Sequence, residues 1–296
     1  MLIIPAVLAL AGLQPGLGQT VSLSLAPGTG LVGGTAYVLI TLNTASPSAG
    51  LQWTLKYSTV DFTAITVSPG SAALGVGKRV FCNASAAGVL TCLIEGLNAA
   101  RIPNGVVAVA AFTISATTPH TSSAVQLSNP MAVSPVGSPV LAAGSSITVT
   151  ILQKPKAVSV APSSGSGLSG TFRFLASAPN GAAYLTLNLM LVNSGLKLAN
   201  ACLVAYTPNP PAFYLYNDAG TALLGPAAPG TPASLQNSQC TVNAAASGAL
   251  TAGTNLLINV ALTFNPAFGG AKGIYMFPGP AQLGGAWQVL GTWNVR

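Results

Sequence analysis

Charged side chains are scarce in this sequence. Lys, Arg, Asp and Glu make up 4% of the 296 residues, against about 25% in an average soluble protein. Long amphipathic helices need such residues on their wet faces, so the scarcity excludes a mostly helical fold. Hydrophobic residues reach 50%, and 33 Gly and 22 Pro accompany them. This composition favours short strands joined by turns, and we predict an all-β protein.

Acidic residues and histidine are too few for most catalytic or metal sites. The chain has three acids and one His. A glycosidase pair would have to combine Asp61 with Glu95, and a Ser-His-Asp site would need His120, which lies in a loop without a nucleophile elbow. Three acids cannot build a calcium loop, and no Cys-x-x-Cys supports a zinc site. We therefore expect no catalytic residue, no metal site and no cofactor.

Basic residues are dispersed along the chain. The formal net charge is +7, but only Lys78-Arg79 and the pair Lys154 and Lys156 stand close together. A nucleic-acid-binding protein is expected to carry a basic stripe or patch. The distribution instead indicates sparse solubilising charge, and we predict no nucleic-acid partner.

The N-terminus has the pattern of an export signal. Residues 2–13 are almost wholly apolar, and Gly16 and Gly18 place small residues where a signal peptidase cleaves. We predict a signal peptide over residues 1–18. The apolar run is short for a bilayer span, and no later segment reaches ~18 uninterrupted apolar residues. The mature protein is therefore expected to be secreted, extracellular or at the cell surface, with no membrane span.

Four cysteines, two in each half of the chain, fit an oxidising compartment. A hairpin can be drawn over residues 78–95 with the loop Ala86-Ala87-Gly88, because three-residue loops prefer Gly in the last position. That register sets Cys82 opposite Cys92, as a cross-strand disulfide requires. The remaining pair, Cys202 and Cys240, is predicted to staple the second half.

Strand patterns recur along the chain and divide it into two sandwiches. Residues 19–152 and 171–296 each contain strands in which apolar and polar residues alternate, and one predicted strand of the second segment is Ala183–Asn193. Residues 153–170 are rich in Pro, Ser and Gly, as a linker would be. One strand is especially regular. Its apolar and polar residues alternate, which predicts one dry and one wet face: Leu51, Trp53, Leu55 and Tyr57 against Gln52, Thr54 and Lys56.

Several segments of the first half resemble cohesins. Ala49-Gly-Leu-Gln-Trp-Thr-Leu-Lys-Tyr57 and Phe62-Thr-Ala-Ile-Thr-Val-Ser-Pro-Gly70 are similar to an early strand pair of that family. Val89-Leu-Thr-Cys-Leu-Ile-Glu95 and Asn104-Gly-Val-Val-Ala-Val-Ala-Ala-Phe-Thr-Ile114 resemble a later pair. The resemblance implies a β-sandwich of jelly-roll topology that binds dockerin modules.

If the resemblance carries over, a protein partner docks on the wet face of the first domain. That face would hold Gln52, Thr54 and Lys56, with Glu95 and Asn98 at the end of a later strand. A dockerin-like or other secreted protein would then be the partner, at the cell surface or in an extracellular polysaccharide-processing assembly.

The second half is similar to uncharacterised β modules of secreted bacterial proteins, in the phrases 216–221 and 235–242. We expect an immunoglobulin-like or similar sandwich there. A second functional hypothesis is a pair of carbohydrate-binding modules, in which exposed aromatic rings stack on sugars. The candidates are Trp53, Trp287, Trp293, Tyr214 and Tyr216. Strand parity places Trp53 in the core, and Tyr214 and Tyr216 are the better candidates for exposure.

Overall fold

The computed structural model describes residues 21–296, and strands make up nearly all of their regular structure. The chain divides into two compact units, with the boundary between Thr150 and Ile151. The predicted all-β class, with two sandwiches, is confirmed. The predicted signal peptide over residues 1–18 lies outside the described residues.

The described part of the first unit has eleven strands and one short helix. They are β1 (Val21–Ala26), β2 (Thr29–Leu31), β3 (Thr35–Asn43), β4 (Gly50–Tyr57), β5 (Phe62–Pro69), α1 (Ser71–Leu74), β6 (Arg79–Ala86), β7 (Val89–Glu95), β8 (Gly105–Ile114), β9 (Ser122–Val133), β10 (Pro139–Ala143) and β11 (Ser146–Leu152).

Two sheets form the first unit. One has the order β5-β8-β3-β1, and the other has the order β10-β9-β4-β7-β6. The parallel pair of β1 and β10 joins them, and β11 pairs with β9 and β2. We name the second one the recognition sheet. The short strands β2 and β10 were not predicted. β2 pairs with β11, far away in the sequence, and β10 pairs with distant β1 as well as with the neighbouring β9.

The core of the first unit confirms the predicted alternation of β4. Leu51, Trp53 and Leu55 are almost fully buried, and the Tyr57 ring packs edge-to-face on Phe112 with 5.6 Å between ring centroids. Each buried aromatic removes a large apolar area from water. Since this side of β4 belongs to the core, only the intervening residues remain for the outer face.

The predicted hairpin of the first unit is present. Cys82 pairs with Cys92 in the register of β6 and β7, and their sulfurs form a disulfide. The turn is narrower than predicted, because Ala86 already belongs to β6. Gly88 adopts a φ of +73° there, a conformation that glycine reaches without a steric penalty.

The second unit has twelve strands. They are β12 (Lys156–Ala161), β13 (Ser164–Ser166), β14 (Ser169–Ser177), β15 (Asn188–Asn193), β16 (Cys202–Pro208), β17 (Pro211–Tyr216), β18 (Leu223–Ala227), β19 (Ser234–Gln236), β20 (Cys240–Ala252), β21 (Asn255–Phe264), β22 (Gly270–Pro278) and β23 (Gln288–Val295). Three single-turn 3₁₀ helices lie between them, at Ala182–Tyr184, Pro266–Phe268 and Ala281–Leu283.

The second unit is also a sandwich. A five-stranded sheet, β12-β14-β21-β20-β19, faces a seven-stranded sheet, β13-β23-β22-β15-β16-β17-β18. Phe172, Phe213 and Trp293 belong to the core between them. The predicted disulfide of Cys202 with Cys240 is present, and it ties β16 of one sheet to β20 of the other.

The predicted linker over residues 153–170 is wrong. It contains β12 and β13 and the start of β14, and these strands pair with β14, β23 and β21. The richness in small residues led to the wrong prediction, because these residues allow close packing in the folded unit. A Cβ added at Gly165 would overlap the Trp293 ring. Cross-strand hydrogen bonds, with little side-chain burial, hold β13, whereas β12 also buries Ala157 and Val160 in the core of the second unit.

The predicted strand Ala183–Asn193 begins too early. Residues 182–184 form a 3₁₀ turn, and β15 starts at Asn188. The side chain of Asn188 is buried and donates to the Leu185 carbonyl at 2.8 Å. That bond satisfies a backbone acceptor at the turn and fixes where the strand starts.

Removing each disulfide is expected to destabilise the protein according to the length of the loop that it closes. The Cys202–Cys240 pair spans 38 residues and the Cys82–Cys92 pair spans 10. In the chain-entropy model these loops correspond to about 4 and about 3 kcal/mol of unfolding free energy. Urea unfolding of the two double Cys→Ala variants measures both values. A larger loss for the Cys82/Cys92 variant would contradict the loop-length account.

Candidate functional site

The predicted binding residues of β4 point away from the core of the first unit, on the outer face of the recognition sheet. Gln52 is half-buried and Lys56 is exposed. Thr54 does not fit the prediction of a wet residue, because it is buried. Its hydroxyl lies 3.0 Å from the Thr91 hydroxyl of β7, and β4 pairs with a neighbouring strand along each of its edges.

Apolar side chains line up across the outer face on either side of Gln52. Register places Leu141 opposite Met131, Met131 opposite Gln52, Gln52 opposite Leu93, and Leu93 opposite Phe81. We name these five residues the central row. Leu141, Phe81 and Met131 are 74%, 53% and 52% exposed. At about 4.8 Å between strands, the row extends about 19 Å.

A β-bulge turns Met131 outward. Strand β9 buries Val125 and Leu127, and strict alternation would bury residue 131 as well. The register between β4 and β9 shifts between Gln52 and Thr54, and Asn129 adopts a φ of +48°. An extra residue in one strand reverses its inward and outward positions. Ala132 is therefore buried and Met131 exposed.

Phe81 is carried by an edge strand that buries very little. Almost every residue of β6 is exposed, so side-chain packing contributes little to its position. The disulfide of Cys82 with Cys92 ties β6 to β7 one residue away from Phe81. The covalent link therefore holds this end of the central row in register.

Glu95 and Asn98 lie at one border of the outer face. Glu95 is exposed and pairs in register with Arg79, and it forms no ion pair within residues 21–296. The Asn98 side chain accepts from the Ala100 amide and donates to the Val76 carbonyl. Asn98 therefore shapes its loop more than it offers a free amide.

Buried Lys78 anchors the same loop. Its side chain is nearly inaccessible, and Nζ donates to the Asn98 carbonyl at 2.7 Å. The loop passes over an open cavity of about 500 Å³ that Lys78, Glu95 and Ser134 help to line. Leu97 at its tip is fully exposed. A strongly anchored loop thus presents an apolar tip beside the central row.

The sequence prediction missed a polar cluster around Asp61. Asp61 is buried, and its Oδ1 accepts hydrogen bonds from the Thr118 hydroxyl at 2.6 Å and lies 2.7 Å from His120 Nδ1. Its Oδ2 accepts from the Ser123 hydroxyl at 2.8 Å. Ser123 donates to the carboxylate and not to the imidazole, so the arrangement differs from a Ser-His-Asp relay. The cluster ties the segment after β4 to the start of β9.

The hydrogen bonds of this cluster keep Asp61 ionised. Burial alone would raise the pKa of the carboxyl group, but donors on Thr118, His120, Ser123 and Ser58 together lower that pKa from 3.8 to about 2. His120 itself is half exposed. No sequence pattern indicated the pairing, because 59 residues separate the two side chains.

The aromatic candidates fall into two groups. Trp53 and Trp293 are buried, so neither offers a ring to a ligand. Tyr214, Tyr216 and Trp287 are half-buried on the outer face of the seven-stranded sheet. Tyr214 and Tyr216 therefore belong to a different unit from the β4 candidates.

Searches for metal and membrane features give two results for residues 21–296. No three His, Cys, Asp or Glu side chains in this range come together as metal ligands. No helix in the same range has the length and apolar character needed to cross a membrane.

Comparison with known proteins finds a likeness in solved structures. No protein-family model matches the sequence, and no curated protein matches it. The sixth cohesin of scaffoldin B from Acetivibrio cellulolyticus, in complex with a dockerin, is 22% identical with a TM-score of 0.40, covering 45% of this chain and 99% of that one. A non-cellulosomal cohesin from Archaeoglobus fulgidus is 16% identical with a TM-score of 0.38, covering 45% and 91%. The cohesin module of a family 33 glycoside hydrolase from Clostridium perfringens is 13% identical with a TM-score of 0.36, covering 45% and 96%. The cohesin likeness expected from the sequence for one half of the chain is thus found again among solved structures.

Replacing Asp61 with Asn is expected to reduce the acid sensitivity of the first unit. The folded pKa of about 2 lies below the unfolded value of 3.8, so the ionised group stabilises the fold above about pH 4, and this contribution is lost as the pH falls toward 2. The shift corresponds to about 2 kcal/mol. Urea unfolding at neutral pH and at about pH 3 measures it, with Glu95→Gln as the control. Equal pH dependence in Asp61→Asn and the native chain would contradict this assignment.

Proposed function

We propose that the first unit is a non-catalytic protein-recognition module that binds its partner on the outer face of the recognition sheet. The observation that carries the proposal is the central row, in which Phe81, Met131 and Leu141 are exposed in register across the strands. Contiguous exposed apolar patches on soluble proteins usually mark interaction sites.

The composition of the face supports this proposal. Apolar side chains occupy its centre. On β6 and β7 the neighbouring positions are polar, with Thr91 and Asn83 on one side and Glu95 and Arg79 on the other, whereas exposed Val133 extends the apolar patch on β9. Stable protein interfaces have this arrangement of an apolar centre and a polar rim. Phe81 and Met131 are of residue types enriched at such interfaces.

Gln52 gives the centre of the face its specificity. Its amide nitrogen lies 3.8 Å from the Met131 sulfur, a weak acceptor. A partner that covers the row without supplying a hydrogen bond would leave the amide buried and unsatisfied, at a cost of about 1–3 kcal/mol. The partner should therefore combine apolar anchors with a polar group opposite Gln52.

The resemblance of the sequence to cohesins makes a dockerin-like module of a secreted protein the first partner to test. Two disulfides support an extracellular location, because such bonds persist in oxidising compartments. Recognition at the cell surface or in an extracellular polysaccharide-processing assembly would follow from that location.

Replacing both Phe81 and Met131 with Asp is expected to weaken dockerin binding at least about a hundredfold, because two central anchors become charged and costly to desolvate. The measurement is biolayer interferometry of the full chain against a panel of purified dockerin modules. Tyr37→Asp is the matched control, because Tyr37 is an exposed aromatic on the other sheet of the same unit.

Both parts of the proposal can fail separately. If no dockerin binds the native chain, the partner class is wrong. If a dockerin binds the double variant as tightly as the native chain, or Tyr37→Asp loses binding instead, the face is wrong. Circular dichroism should show that all three proteins are folded, since the changed residues are exposed.

A further inference from the structure

The seven-stranded sheet of the second unit carries two rows of apolar and aromatic residues on its outer face. Cross-strand register aligns four residues of each row, and the fifth, Tyr216 in the first row and Trp287 in the second, packs against its neighbours. The first row runs Val289, Tyr275, Leu191, Leu203 and Tyr216. The second row runs Trp287, Phe277, Leu189, Ala205 and Tyr214. We name these ten residues the aromatic face.

Aromatic rings flank leucines at the centre of this face. Leu191 and Leu203 are fully buried although they point away from the sandwich core, and they form a separate cluster with Ala201. Leu189, Tyr216, Tyr275 and Trp287 are partly buried and pack against that cluster. The rings therefore form the outermost layer of the sheet, above a filled apolar base.

Tyr275 lies flat on the sheet. A Cβ added at Gly273 would come within 2.6 Å of the Tyr275 hydroxyl and 2.7 Å of its Cζ, so the ring extends over the backbone of residue 273. Only glycine leaves room for this placement. A ring held flat against a sheet directs its other face outward, which is the orientation that stacking on a planar ligand requires.

The second row continues the platform beside Tyr275, at the same edge of the face. The rings of Phe277 and Trp287 pack with 5.7 Å between centroids, and Trp287 remains half-buried. From β23 to β17 the face crosses four strand spacings, about 19 Å. Its length therefore suits an extended ligand better than a single small molecule.

The chemistry of the aromatic face selects a neutral ligand. None of its ten residues is charged, while Tyr214, Tyr216 and Tyr275 offer hydroxyls and Trp287 offers an indole N–H. Aromatic rings carry a negative face that attracts the slightly positive C–H groups of an apposed ligand. Sugar rings combine such C–H faces with hydroxyls along their edges.

We propose that the aromatic face of the second unit binds a neutral polysaccharide chain. The sugar rings stack on Tyr275 and Trp287 at one end and on Tyr216 at the other, and the tyrosine hydroxyls hydrogen-bond the sugar hydroxyls. This site is independent of the recognition sheet, because it lies in the other unit. The chain would then connect a protein partner to a polysaccharide.

Affinity electrophoresis of the full chain tests this proposal in gels that contain hydroxyethylcellulose, xylan or galactomannan. Retardation in at least one gel is expected for the native chain. Tyr275→Ala and Trp287→Ala should each weaken binding about tenfold, since one stacking contact is lost. Tyr275→Phe keeps the ring and should keep most of the affinity. Tyr37→Ala, an exposed aromatic of the first unit, is the matched control.

Tryptophan fluorescence provides a second readout. The chain has three Trp, and Trp53 and Trp293 are buried, so a change in emission when the retarding polysaccharide is added should come from Trp287. Trp287→Phe should remove that change while the variant still migrates as a folded monomer.

Three results would overturn the proposal. The first is that none of the three polysaccharides retards the native chain. The second is that folded Tyr275→Ala and Trp287→Ala variants bind as the native chain does. The third is that the native chain forms a dimer that Trp287→Ala abolishes, because the face would then be an interface between two copies. None of these results depends on dockerin binding.

Discussion

The alternation of side chains along β4 is the constraint on which the first unit depends. Leu51, Trp53 and Leu55 enter the core, and each strand beside β4 must pair in the register that this choice sets. The bulge in β9 at Asn129 then reverses the parity of one neighbour and brings Met131 to the surface beside Gln52. The same core that stabilises the sandwich therefore places an apolar row on its outside.

The two units carry side chains of different chemistry on the outer faces of their sheets. In the first unit the central row is apolar apart from Gln52 and is bordered at one end by charged residues such as Glu95 and Arg79, which suits a protein partner. In the second unit the outer rows are aromatic and uncharged, and Tyr275 lies flat over Gly273. Disulfides support both surfaces. One holds the edge strand that carries Phe81, and the other ties together the sheets of the second unit.

Local pattern and cysteine spacing predicted the parts of the fold that depend on neighbouring residues. The alternation of β4 and the pairing of Cys82 with Cys92 are examples, because a short hairpin fixes its own register. β12 was missed because its composition indicated a linker, although it pairs with the nearby β14. β13 was missed because its partner β23 is distant in the sequence. The hydrogen bond between Asp61 and His120 was missed for the same reason, because these residues come together only in the folded chain. The bulge that turns Met131 outward was also missed. Thr54 is buried because β4 has a neighbouring strand on each side. The alternation of residues in the sequence does not show how many neighbours a strand has.

Hydroxyl-radical footprinting by mass spectrometry tests the central claim most directly, because it reads side-chain exposure on each face of the folded chain with and without a bound protein partner. The account predicts that binding slows oxidation of Met131 and Phe81 on the recognition sheet and leaves Tyr37 on the opposite sheet unchanged. Oxidation of Met131 at an unchanged rate, together with protection of Tyr37, would contradict it.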